Sequence, residues 1–442
     1  MSTTWSVDEH LEDILAAVRP LDPIELQLPD AQGCVLVEDV TVPVALPPFD
    51  NSSMDGYAVR VADVTGATEE FPAVLTVIGD VAAGDGGLPT VGPGQAARIM
   101  TGAPLPPGAE AVVPVEWTDG GTGGGAATAM RPAGRAPEGA SGEVRVHRPA
   151  PARAHVRARG SDVQAGDLAL EAGTVLGPAQ IGLLAAIGRG TVRVRPRPRV
   201  VVLSTGSELV QPGEELGPGR IYDSNSFVLA AAARDAGAIA YRVGAVTDDA
   251  QTLRATIEDQ LIRADLLVTT GGVSVGAYDV VKEALSSVGD GDGDGDGDGE
   301  EDGPAGGVDF RRLAMQPGKP QGFGSVGPEQ TPLLALPGNP VSCYVSFELF
   351  VRPAIRALMG LPDLHRPRAR AVLAAGGPLS SPAGKRQFLR GRYDAEAGTV
   401  TPVGGAGSHL IAALAHADAL LDIPEDTTTV EPGTELDVVL IG

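Results

Sequence analysis

Cysteine is scarce: Cys34 and Cys343 are the only two in 442 residues, and neither sits in a CxxC or other zinc-type spacing. That argues against a disulfide framework and a Cys/His zinc site, and makes a reducing, cytoplasmic setting the expected one. Positive charge is also short, with 33 Lys and Arg against 57 Asp and Glu and a formal net charge of −24. No nucleic-acid partner is expected for such a chain. Long apolar runs are missing too, and the start MSTTWSVDEHLEDIL is acidic without an apolar signal core. Neither export nor membrane spanning is therefore expected. There is no Walker lysine loop, GxSxG elbow or HExxH, and the six histidines are thinly spread.

What remains is a glycine- and proline-rich chain, 60 Gly and 37 Pro with no collagen-like period, long enough for about three domains. Ser6 and Glu9 form a capping-box pattern, and Val7, Leu11, Ile14, Leu15 and Val18 share one face, which predicts a helix over 6–18. Residues 34–46 alternate as strand structure does and lead into PPFDNSSMDGYAVR, whose polar cluster is richer than a simple turn needs. Short β-like pieces between Gly/Pro turns fill 71–149, the texture of a β-rich module. Within it, 119–142 reads as an exposed hairpin tip. The stretch 155–195 predicts a strand, a polar turn and a helix near 178–188, closer in character to the first forty residues. The expected organisation is an N-terminal mixed domain from 1–46 and 150–196, interrupted by a β module at 47–149.

RVRPRPR at 193–199 reads as a linker. Beyond it, apolar strands such as RVVVL, YRVGAV, DLLV and LLAL alternate with helical stretches, including one from NSFVLAAAARDAG capped by Asn225 or Ser226. That pattern predicts a three-layer α/β domain over 197–362, its sheet largely parallel with helices on both faces. The last 80 residues, 363–442, predict a small β module, barrel-like in form. The run DGDGDGDGDGEED at 290–302 holds eight acids and no base. Its spaced aspartates formally match an EF-hand loop, but so does any DG alternation, and 289–307 reads as a disordered acidic insertion.

Every polar cluster of the α/β region follows an apolar strand: STGSEL with Glu208, TDD with Asp248, TTGGVSVGAYD with Ser274 and Asp279, QPGKP with Lys319, and PGNPVS with Ser342. In a parallel sheet the loops at strand carboxyl ends share one rim, where ligands bind. Backbone N–H groups and a lysine suit phosphates, and carboxylates beside phosphates call for a hard cation to bridge them. Each residue also has a plain structural use. Asp248 and Asp279 could cap helices, Lys319 could be a solvated loop lysine, and Ser342 falls in the first turn of a helix.

PPFDNSSMDGYAV, RIMTGAPLP, STGSEL, YDSNS, TTGGVSVGAYDVVK, MQPGKP, LPGNPVS and GSH occur in this order. Together they resemble the molybdopterin molybdotransferase family, MoeA-type enzymes related to the carboxyl-terminal domain of gephyrin, over nearly the whole chain. The resemblance implies Mg²⁺-dependent insertion of molybdate into adenylylated molybdopterin, giving molybdenum cofactor and AMP. It also implies a homodimer with a site between the α/β domain of one subunit and the β module of the other. Position by position, Glu208, Asp248 and Asp279 match acidic residues that bind Mg²⁺ or act in catalysis. Asp55 and Thr101 match functional residues of the inserted module, and Asp162 an acid in the turn between modules. Ser274, Lys319, Pro320, Ser342, Arg390 and Ser408 match positions around the oxyanion, and Gln316 stands where many relatives carry a second lysine. A molybdopterin adenylyltransferase and molybdoenzymes are further partners that the resemblance suggests. The competing readings are a molybdopterin adenylyltransferase, which would not need the DNSSMDG segment or the extra modules, and a non-catalytic cofactor-binding scaffold.

Overall fold

The computed structural model describes residues 4–84, 86–123, 125–130, 142–247, 249–272, 284 and 307–442. The expected acidic insertion therefore lies, up to residue 306, outside the described residues, as do Asp248, Ser274 and Asp279.

A seven-stranded sheet runs in the order Thr4–Trp5, Val308–Leu313, Pro320–Val326, Thr331–Leu336, Leu266–Thr270, Arg199–Thr205 and Ile239–Val246. Its neighbours are parallel except around Pro320–Val326, which is antiparallel to the strands on both sides. Val200, Val201, Val202 and Leu203 are completely buried because successive side chains of this strand point to opposite, equally covered faces. Val200 and Val202 face the helix Asn225–Asp235 and belong to one core with its Leu229 and Ala233, with Val345 and Ile355 of the helical stretch 340–358, and with Val7 and Ile14 of the helix Val7–Ala17. Val201 and Leu203 pack with Leu253 and Ile257 of the helix Ala250–Leu261 on the other face. The three-layer α/β expectation holds.

Ile24–Gln27, Thr191–Arg195 and Val35–Leu36 make a small antiparallel sheet with the helix Pro178–Ala186 on their core. Glu143–Val146, Ala73–Val81, Gln95–Ile99, Gly56–Val59 and Ala111–Pro114 form a five-stranded sheet covered on both faces. At the carboxyl end, Arg368–Leu373, Thr399–Pro402, Arg386–Asp394, Ala419–Ile423 and Glu435–Leu440 pair in a ring, closing a five-stranded barrel around Leu421 and Val438. Met315–Gln316, in the chain between two strands of the central sheet, pairs in parallel with the barrel strand at Arg386–Gln387.

Four features differ from expectation. Residues 4–17, grouped above with the N-terminal mixed domain, join the α/β body. Thr4–Trp5 pairs with Arg312–Leu313, and Arg311 stacks on Trp5 at 3.8 Å while meeting Asp13 at 2.6 Å. The strand Pro320–Val326 is unannounced because Gly322 and Gly324 depress strand propensity. Packing demands them: a Cβ on Gly324 would stand 2.0 Å from the Gly307 carbonyl oxygen. The helix at 225 is capped neither by Asn225 nor by Ser226. Ser224 is the N-cap residue, and the Asp223 carboxylate accepts the Ser226 N–H at 3.1 Å. Finally, the 119–142 stretch begins buried, since the Asp119 carboxylate accepts N–H groups of Gly121, Gly123 and Arg145.

Candidate functional site

The carboxyl ends of Arg199–Thr205, Leu266–Thr270 and Thr331–Leu336 open onto one cavity of about 1380 Å³. Ser204 to Gly206, Thr270 to Gly272 and Pro337 to Pro340 form one wall of it, and Asp309 to Arg312 line another part. The antiparallel strand contributes its starting end instead. Running against its neighbours, it brings Lys319, Pro320 and Gln321 to the same rim. This is the crevice where open α/β sheets bind ligands, and it is large enough for a nucleotide-sized molecule.

The rim loops brace one another. Asn225 donates from Nδ2 to the Gly338 carbonyl at 2.7 Å and to Thr270 Oγ1 at 3.1 Å, and Thr270 donates onward to the Pro337 carbonyl at 3.2 Å. Asp223, 1 % exposed, accepts from Ser204 Oγ at 2.8 Å and from both the N–H and the hydroxyl of Ser226. Gly271 adopts a φ of +93°, and a Cβ there would lie 2.4 Å from the Thr205 carbonyl oxygen, so only glycine lets these two strand ends approach so closely. Burial pushes the Cys343 thiol beneath this wall up to about 12, which leaves it no nucleophile near neutral pH.

A second cavity of about 260 Å³ shares Lys319, Pro320 and Ser342 with the first. Its other lining residues are Met315, Gln316, Pro317, Gly318, Lys385, Ala406 and Ser408. It lies where the α/β domain meets the barrel: Val341 N–H donates to the Ser408 carbonyl at 3.0 Å, and Arg386 N–H to the Ala314 carbonyl at 2.9 Å. Gln321 holds the loop from beneath, donating to the Gly318 carbonyl at 2.7 Å and to Ser346 Oγ at 2.6 Å.

Of the residues singled out in the sequence, Glu208, Lys319, Pro320 and Ser342 line the larger cavity, and Gln316, Lys319, Pro320, Ser342 and Ser408 line the smaller. Glu208 is exposed and, among the described residues, makes no ion pair. Arg390 lines neither cavity. Its side chain is buried beneath the loop at 404–405 and donates to the Gly405 carbonyl, and burial lowers its pKa while leaving it cationic. Asp55 and Thr101 form a pair in the β module, where the Asp55 carboxylate accepts the Thr101 N–H at 2.7 Å and its hydroxyl at 2.9 Å. Neither of them, nor the exposed Asp162, lines these cavities. The residues that sequence reasoning passed over are Asp223, Asn225 and Lys385. The first two lie within the quoted YDSNS, where an acid and an amide before a helix signal a braced turn. Among the described residues no three His, Cys, Asp or Glu side chains converge as a metal site, and two of the three acids expected to hold Mg²⁺ lie outside those residues.

An α/β domain with a ligand rim at its strand ends, flanked by a β module and a closed barrel, is the frame of a small-molecule-binding protein, and three family models match it in succession. They are the MoeA N-terminal region (domain I and II) over residues 5–188, the probable molybdopterin binding domain over 201–357, and the MoeA C-terminal region (domain IV) over 372–441. The chain is 47 % identical over 433 residues to molybdopterin molybdenumtransferase 2 of Mycobacterium tuberculosis, covering 98 % of each. It is 33 % identical to the molybdopterin molybdenumtransferase of Bacillus subtilis, covering 99 % of this chain and 94 % of that one. A crystal structure of a molybdopterin biosynthesis MoeA protein from Pyrococcus horikosii superposes over 100 % of both chains with a TM-score of 0.71 at 31 % identity. The chain belongs to the molybdopterin molybdenumtransferase family, a family of transferases. Among the described residues no helix is long and apolar enough to cross a membrane.

Proposed function

We propose that this protein inserts molybdate into adenylylated molybdopterin and releases AMP, with the nucleotide-bearing substrate in the larger cavity and the oxyanion in the smaller. One observation carries this reading. Four positions that the family resemblance assigns to the oxyanion's surroundings, Lys319, Pro320, Ser342 and Ser408, line one small polar cavity together with Gln316, and that cavity shares a wall with a nucleotide-sized one. The two dithiolene sulfurs take molybdenum as one molybdate oxygen leaves as water, and hydrolysis of the phosphoanhydride frees AMP.

In this scheme Lys319 and the hydroxyls of Ser342 and Ser408 hold the dianion beside the thiols, which suits a tetrahedral group wanting charge and donors on several sides. The Asp223 and Asn225 braces keep the wall from collapsing when the site is empty. Arg390 acts at one remove, holding the loop that carries Ser408. Mg²⁺, when bound, would neutralise phosphate charge. Exposed Glu208 at the rim, which makes no ion pair among the described residues, would be one ligand, and the family resemblance assigns Asp248 and Asp279 to the same task. Asp55 and Thr101 serve the site of a second copy in a homodimer, and the cofactor passes on to molybdoenzymes.

The test is to incubate the purified protein with adenylylated molybdopterin, Mg²⁺ and molybdate, following AMP release and reconstitution of an apo-molybdoenzyme. AMP release coupled to reconstitution supports the reading. ATP-dependent adenylylation of molybdopterin would establish the adenylyltransferase alternative instead, and binding without turnover would establish a scaffold.

A further inference from the structure

We infer that Lys385 is the second cation of the oxyanion cavity, acting opposite Lys319; the inference rests on the oxyanion reading of that cavity. Its lining is unusual in charge. Lys319 and Lys385 are its two charged side chains, and no described carboxylate lines it. Neither lysine makes an ion pair among the described residues, although the chain carries a large acidic excess. Lys319 is exposed and Lys385 half-buried at the edge of this cavity, and two ammonium groups with no carboxylate partner around one small space suit a dianion.

The nearby Arg390 guanidinium does not line this cavity. Arg390 donates to the Gly405 carbonyl beneath the loop and lines neither cavity. Gln316, also in the lining, offers an amide but no charge.

Lys385 is held in position by its neighbour. Arg386 pairs with Met315 across the parallel ladder, donates its N–H to the Ala314 carbonyl at 2.9 Å, and meets Asp422 at 2.8 Å and Asp8 at 3.0 Å. The backbone that carries Lys385 is thereby tied to the backbone that carries Gln316 and Lys319. The barrel thus contributes a charge: the strand carrying Lys385 reaches the site by docking on the Met315–Gln316 segment.

Molybdate binding measured by titration calorimetry at fixed ionic strength tests this, with thermal midpoints as a check on folding. Lys385→Ala is expected to weaken molybdate binding about tenfold, the loss of one charge-assisted contact, without a change in midpoint. Lys385→Arg should bind as the parent does, and adding Gln316→Lys to Lys385→Ala should restore affinity by returning a charge to the same cavity. Lys319→Ala is the control and should lose about as much affinity as Lys385→Ala. If Lys319→Ala weakens binding and Lys385→Ala does not, the inference fails while the oxyanion reading stands. If neither variant weakens binding, the oxyanion reading itself fails. Loss in Lys385→Ala that neither Arg at 385 nor Lys at 316 repairs would overturn the charge role in favour of a packing one.

Discussion

Asp223 offers the sharpest test of how the cavity wall is built. Its carboxylate is 1 % exposed and accepts three hydrogen bonds: from Ser204 Oγ at 2.8 Å, from the Ser226 N–H at 3.1 Å and from the Ser226 hydroxyl. Arg242 stands 3.8 Å away, near enough to offset the charge without a direct bond. Asp223→Ala removes every acceptor at once and strands the Ser204 hydroxyl, 1 % exposed, and the fully buried Ser226. Each stranded buried donor costs about 1–3 kcal/mol, so the substitution should destabilise the α/β domain by roughly 3–5 kcal/mol. That is a large fraction of the stability of about 5–15 kcal/mol typical of a domain. Asp223→Asn keeps one good acceptor oxygen and should cost roughly half as much. Thermal unfolding monitored by circular dichroism separates the two, and AMP-release kinetics at low temperature should show a raised KM for adenylylated molybdopterin, because Ser204 and Asn225 line the cavity proposed above for that substrate. An unfolding midpoint for Asp223→Ala within a degree of the parent's would mean that the stranded donors find water and that the brace is not structural.

His10 is buried against Phe350 and Phe323, and burial lowers its pKa to about 4 from an ordinary 6.5. The folded state therefore refuses a proton that the unfolded chain accepts, and roughly 3 kcal/mol of stability is lost as pH falls from 6.5 toward 4. His10→Leu should flatten that part of the profile, and parallel profiles for the two proteins would contradict the assignment. If Asp55 and Glu208 belong to sites shared between subunits, mixing inactive Asp55→Ala and Glu208→Ala proteins under subunit exchange should restore about a quarter of parental turnover. A mixture as inactive as its components would mean that each site is built from one chain. Gly271→Ala places a Cβ 2.4 Å from the Thr205 carbonyl in a left-handed conformation, so activity should fall at least tenfold with a lowered melting temperature. Parental turnover from this variant would show that the two loops can move apart freely.

Much of the architecture is legible in the residues alone. Short continuous apolar runs such as RVVVL and DLLV, rich in β-branched residues, suit strands covered on both faces, and helical stretches between them favour parallel crossovers. That predicts a shared rim for the polar clusters, and Glu208, Lys319 and Ser342 do meet at one cavity, while Asp248, Ser274 and Asp279 lie outside the described residues. Capping is legible where it is local: Ser6 and Glu9 satisfy each other's neighbourhood within a single turn. The strand at 320–326 was hidden because its glycines answer to Gly307, Ala335 and Phe310, residues distant in the chain or on another strand. The first residues also gave no sign that they would complete the central sheet, since Trp5 finds its partner at Arg311 some three hundred residues later.

The site divides the same way. Sequence by itself determined which residue types gather at the carboxyl rim, because strand periodicity and loop chemistry are properties of a few consecutive residues. It could not say which of them share one cavity. The tertiary fold shows that Gln316, Lys319, Ser342 and Ser408 surround one space, that Arg390 lies under a loop and outside that lining, and that Lys385 joins the lining from the barrel. Those outcomes depend on a two-residue pairing, Met315–Gln316 against Arg386–Gln387, that docks the barrel on the α/β rim. A pairing so short and so distant in the chain leaves no periodicity to read, and its position is set by the packing of two whole domains.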